Sequence, residues 1–124
     1  MLHFYDRATI AHALTLPSLP APLRQRIAAL RDDLIDWTEY LVIETGDTER
    51  DIIRYVGFSP LVEPIDGARF GQPGFHPPWD WIAKHDGWFE LVFSFGSTFA
   101  YVLFVQDSEG VDPDLLSLCR AHRP

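Results

Sequence analysis

Glu90 stands between Trp88 and Val92 in "GWFELVFSF", one of the most apolar stretches of the chain. A carboxylate in such surroundings loses hydration, which raises its pKa and suits it to proton transfer or to anchoring a ligand. The plainer alternative is a carboxylate satisfied by hydrogen bonds from a tyrosine, an indole N–H or nearby backbone. If Glu90 is buried with no cation beside it, Glu90→Gln should be neutral or stabilising near neutral pH.

The stretch just before it, "FGQPGFHPPWDWIAKHDGWF" (70–89), holds three of the four tryptophans, Trp79, Trp81 and Trp88. Such rings could stack on a ligand, form an interface hot spot, or simply fill a core. The candidate ligand or interface set is therefore Trp79, Trp81, His85, Trp88, Glu90 and Tyr101. His76, Asp80, His85 and Asp86 match no common metal spacing, so no metal is expected. The chain has no glycine-rich phosphate loop, no helical His pair and no G-x-S-x-G elbow. No cofactor is implied, and no motif makes the chain an enzyme.

These side chains must be carried by regular elements. "WFELVFSFGSTFAYVLFVQ" reads as a hairpin, about 88–95 and 98–106, turning at Gly96-Ser97. A two-residue turn would set Phe95 opposite Thr98. One face would then hold Phe89, Leu91, Phe93 and Phe95 with Ala100, Val102 and Phe104. The other would hold Trp88, Glu90, Val92 and Ser94 with Phe99, Tyr101, Leu103 and Val105. Both faces are largely apolar, whereas a hairpin with one wet face alternates. Something must cover the second face, and the 70–87 loop, expected to lack regular structure, is the candidate cover.

Leu23, Ile27, Leu30 and Leu34 recur at helical spacing, with Arg24, Arg26 and Arg31 on the outer side. They mark a helix near 21–35. "TEYLVIE" (38–44) is a strand. "TERDIIRYV" is a helix near 48–56, with Asp47 or Thr48 as cap and Gly57 as its stop. Residues 61–63 could form an edge strand. Asp112 and Pro113 open a last helix near 112–122 with Leu115, Leu118 and Cys119 inward. Asp6 could cap a short helix before the prolines of "PSLPAP". The fold class is α+β: a small antiparallel or mixed sheet with a central hairpin packed by helices, one globular domain over 1–124.

The net charge is −8 over 124 residues. That opposes direct binding to a nucleic-acid backbone, which needs clustered Lys and Arg. Eight carboxylates lie between Asp32 and Asp51 against one base, Arg50. They form either a solvated face or an acidic surface for a basic partner. No apolar run approaches a membrane span, the N-terminus lacks a signal-peptide pattern, and the single Cys119 permits no internal disulfide. The cytoplasm is the expected location.

"HFYDRATIAHAL", "GFSPLVEPIDGARFG" and "GWFELVFSFG…YVLFVQD" together resemble small uncharacterised proteobacterial proteins, often plasmid or mobile-element encoded. That resemblance implies an accessory role and carries no catalytic residues. The leading functional expectation is an accessory or regulatory protein acting by protein–protein contact, with a protein partner or a second copy of itself. One alternative is a small-ligand binder or enzyme with a pocket between the 70–87 loop and the sheet, lined by Trp81, Trp88, Glu90 and Tyr101. Another is an acidic nucleic-acid mimic.

Overall fold

The computed structural model describes residues 1–33, 37–95 and 99–121. In chain order the elements are β1 (Leu2–Phe4), α1 (Arg7–Ala13), α2 (Ala21–Asp33), β2 (Trp37–Ile43), α3 (Glu49–Val56), β3 (Trp81–His85), β4 (Trp88–Phe95), β5 (Phe99–Gln106) and α4 (Pro113–Ala121). The five strands form one mixed sheet in the order β1-β2-β5-β4-β3. β2 and β5 run parallel, and the other neighbours are antiparallel. This is the expected α+β class. Leu34 and the helix end near 35 lie outside the described residues, as does residue 122.

Local chemistry sets the helix ends. Asp6 caps α1 by accepting from the Thr9 amide at 2.7 Å, and Thr9 Oγ1 accepts from the Asp6 amide in return. Thr48, rather than Asp47, caps α3 in the same reciprocal way with Asp51. Asp112 accepts from the amides of Asp114 and Leu115 at the head of α4. These exchanges satisfy amides that have no partner within a first turn. Gly57 closes α3 with φ of 81° while its N–H reaches Ile53 O. An L-residue is strained in that conformation, so Gly57→Ala should cost about 1 kcal/mol in a urea titration.

The hairpin register differs from expectation. Phe95 pairs with Phe99, not Thr98, and Glu90 pairs with Phe104, not Leu103. Three residues, 96–98, separate the paired ends instead of two, and they lie outside the described residues. Because strand side chains alternate, a one-residue slip exchanges the whole of β5 between faces. Val102 and Phe104 therefore lie beside Glu90, and Tyr101, Leu103 and Val105 join Phe89, Leu91 and Phe93 on the other face.

Both faces are covered, which accounts for the missing alternation. Leu23, Ile27 and Leu30 of α2 and Ala13 of α1 pack on Phe4, Tyr40, Val42, Trp88, Val92, Val102 and Phe104. Ile52 and Val56 of α3, with Leu115, Leu116, Leu118 and Cys119 of α4, pack on Leu41, Ile43, Phe89, Leu91, Phe93, Leu103 and Val105. The cover over the Glu90 face is thus a helix layer, not the aromatic loop. That loop turns to the opposite side, where Trp79 is buried and Phe70 and Phe75 pack against the α3–α4 core.

Residues 81–85 are not irregular loop either. They form β3, an edge strand paired to β4 through a tight turn in which Asp86 and Gly87 both have positive φ, 46° and 89°. That conformation matches a two-residue hairpin turn, and Asp-Gly favours it. β1 also lacked a sequence signal, being three residues long. Near 61–63 there is one isolated bridge, Val62 to Arg69, in place of an edge strand.

Candidate functional site

The β3–β4 hairpin and α2 build a polar cluster around Glu90. On β3, Trp81 lies abreast of Val92, Ala83 of Glu90 and His85 of Trp88. All six share the face that α2 covers. The small Ala83 leaves room for Trp81 and His85 to lean toward the carboxylate from either side. Glu90 is fully buried. It accepts from Arg26 Nε at 2.5 Å, Arg26 Nη2 at 3.0 Å and Trp81 Nε1 at 2.8 Å. His85 Nε2 lies 3.1 Å from Glu90 Oε1, close but out of line for a hydrogen bond.

Arg26, expected on the outer side of α2 with Arg24 and Arg31, turns toward the sheet instead. It stands three residues after Leu23 and four before Leu30, both buried. Those spacings place it on the same helix flank. Its stem lies along α2 and its guanidinium meets the sheet, with about a third of the side chain still reaching water. Burial pushes the Glu90 carboxyl up, but the bonds from Arg26 and Trp81, and the charges of Arg26 and His85, outweigh it and hold the group below the usual carboxylate range. A bidentate guanidinium occupies both oxygens, so this carboxylate is committed to holding α2 on the sheet. Beside it runs an open groove of about 420 Å³ lined by Pro22, Gln25, Arg26, Ala29, His85 and Asp86.

The six candidate residues divide. Trp81, His85 and Glu90 come together. Trp88 shares their face and is buried in the α2-side core. Trp79 and Tyr101 lie on the other side of the sheet, in or against the α3–α4 core. Tyr101 left the group because of the register slip. The pocket expected between Trp81, Trp88, Glu90 and Tyr101 is therefore not assembled, since the sheet separates Tyr101 from the rest.

Tyr101 belongs instead to an aromatic surface at the hairpin-tip end of the α3 side. Glu39 lies beside it on β2, and Phe93 beside it on β4. A row Glu39–Tyr101–Phe93 thus crosses three strands. β1 ends where Phe4 pairs with Tyr40, and Tyr5 follows just outside the strand. His3 Nε2 is 2.7 Å from Glu39 Oε1. The His3 ring contacts Tyr5 at 5.0 Å and Tyr55 of α3 at 5.5 Å. Phe58 packs edgewise or tilted on Phe93, Phe95 and Tyr101, all between 5.1 and 5.4 Å, and Phe99 contacts Tyr101 at 4.8 Å. Tyr5, Tyr55 and Phe95 are each about half exposed, at 54%, 48% and 44%. Burial, then the nearby Glu39 carboxylate, push the Tyr101 hydroxyl up, so it stays neutral.

From Glu44 to Asp51 the acidic stretch resolves into local tasks, while Asp36 and the side chains of Asp32 and Asp33 lie outside the described residues. Glu44 and Asp47 meet the N-terminal ammonium at 3.7 and 3.2 Å. Glu49 takes two bonds from Arg69 and one from the Ser59 hydroxyl. Asp51 serves the α3 cap. Among the described residues no group of three or more His, Cys, Asp and Glu could hold a metal. No helix among them is long and apolar enough to cross a membrane.

Cys119 packs wholly buried against the sheet. Burial, with a smaller push from the Asp107 charge, raises its thiol to about 12. Only the thiolate reacts. The native protein should therefore resist an aromatic disulfide reagent at pH 8, and the same protein in denaturant should react fully.

No family model, curated protein or solved structure matches the chain.

Proposed function

We propose that the protein acts by contact with another protein chain, through the aromatic end of the sheet face beside α3. One observation carries this reading. Phe95 stands about half exposed in a connected set of rings with Phe58, Phe93, Phe99 and Tyr101, and Tyr5 and Tyr55, also about half exposed, meet at His3, which reaches Glu39 next to Tyr101. Exposed tyrosine and phenylalanine grouped where a helix meets the end of a sheet supply contact area at little entropic cost, which is the composition of interface hot spots. A contact surface also fits the accessory role that the sequence resemblance implies. The carboxylates between Glu39 and Asp51 with local partners favour contact over mimicry of a nucleic acid.

The sheet edges are poor alternatives for docking. β1 is three residues long, and the outer strand β3 carries the half-exposed Lys84. Short edges and edge lysines discourage strand addition.

The test is affinity capture with the wild-type chain, with Tyr55→Ser/Phe95→Ser, and with Glu109→Gln as a control at an exposed site elsewhere. The partner should be retained by wild type and control and lost by the double variant, with melting temperatures compared to exclude unfolding. Sedimentation across concentration asks whether that partner is a second copy. A partner held equally by all three proteins would remove the aromatic surface from the reading.

A further inference from the structure

Glu39 has no fixed cation among the described residues. Its side chain is about one-fifth exposed and its neighbour His3 is charged only if protonated. Among the described residues no lysine or arginine makes an ion pair with it, unlike Glu49 and Glu90, which each take an arginine. The one side-chain hydrogen bond of Glu39 among the described residues is to the His3 ring, at 2.7 Å, and a carboxylate attracts a cation more strongly where it is partly shielded from water. Glu39 also lies among aromatic rings, with Tyr101 abreast of it on β5 and the Tyr5 ring 5.0 Å from the His3 ring that reaches it. Ring faces carry negative potential and attract cations. Carboxylate and rings thus select the same ligand charge.

We propose that Glu39 is the seat for an arginine side chain of the partner protein, its guanidinium lying against Tyr5 and Tyr101 and its N–H groups donating to the carboxylate. Arginine fits better than lysine because a planar guanidinium stacks on a ring while its edge donates in a fork. The overall charge of −8 favours the approach of a basic segment. This inference rests on the contact reading above and adds the chemistry of the partner to it.

The probe is N-acetyl-arginine amide, followed by the ring resonances of Tyr5 and Tyr101 at low salt. N-acetyl-citrulline amide, nearly the same shape without the charge, is the comparison. The arginine compound should shift both rings, and the citrulline compound should not. Glu39→Gln keeps an acceptor for His3 and should weaken the response about tenfold, the size of one charge-assisted hydrogen bond. Tyr5→Ala changes an exposed ring and should also weaken it, while Glu109→Gln should leave it unchanged. Equal shifts from citrulline, or an undiminished response in Glu39→Gln, overturn the proposal. So does the absence of any response from the wild-type protein. If the seat fails in these ways while Tyr55→Ser/Phe95→Ser still loses its partner, the contact surface stands and only its arginine chemistry is wrong. If the double variant keeps its partner, the contact reading itself has failed.

Discussion

Arg26→Leu is expected to destabilise the fold by about 3 kcal/mol at neutral pH, because it strands a fully buried carboxylate. The Trp81 indole would still donate to Glu90, which keeps the loss from being larger. The pH dependence is diagnostic. In the wild-type protein the folded pKa of Glu90 lies below its ordinary value. Its contribution to stability is then present above the unfolded carboxylate pKa and is lost as pH falls through the folded one. In Arg26→Leu the burial cost is no longer offset by the guanidinium, so the folded pKa rises above the ordinary value and protonation favours the folded state. The deficit against wild type should narrow between pH 7 and pH 5 in urea titrations. A deficit that stays constant or widens would mean that Glu90 is not the group left behind.

The same pair reverses the expectation for Glu90→Gln. Neutral or improved stability was expected only for a carboxylate buried without a cation, and Arg26 supplies one. The amide loses the charge-assisted fork and should cost about 2 kcal/mol near neutral pH.

Phe104→Ala should cost about 4 kcal/mol, within the range for removing a buried aromatic ring. Phe104 is fully buried, lies beside Glu90 across the β4–β5 pair, and stacks near Tyr40 with centroids 6.5 Å apart. The measurement also tests the register. With Phe104 on the α2 side, its removal opens a void beside Val92, Val102 and Leu23, so filling substitutions on α2 should recover part of the loss. If Phe104 faced α4, changes on α2 would recover nothing. Urea midpoints for Phe104→Ala alone and combined with Ile27→Phe or Leu23→Phe, both at buried α2 positions of the same cluster, would separate the two cases.

Much of the framework was legible in the residues themselves. Leu23, Ile27 and Leu30 marked α2 by their spacing, Thr48 and Gly57 bracketed α3, and Asp112 with Pro113 opened α4. These signals are local: periodic burial, caps that satisfy free amides, and a glycine that takes positive φ. The apolar character of both hairpin faces also announced a doubly covered sheet. Asp86-Gly87 was recognisable as a turn into β4. Read together with "WIAKH" on its other side, the same dipeptide could have identified β3, since Asp-Gly between two strand-like runs is a hairpin signal.

What the tertiary structure alone decided was which of these groups meet. One residue more in the β4–β5 connection moved Tyr101 from the Glu90 face to the opposite one, because strand period is two and a slip of one inverts every side chain. Arg26 looked like an outer arginine until the sheet supplied a buried carboxylate across from it, sixty-four residues away in the chain. Glu39 reads as one member of an acidic run, and only the pairing of β1, β2 and β5 sets it beside His3 and Tyr101 with no fixed cation among the described residues. Local sequence determines element type through backbone propensity and periodic burial. The partners of a charge are chosen by register and by which helix lies across the sheet, and both depend on contacts between residues far apart in the chain.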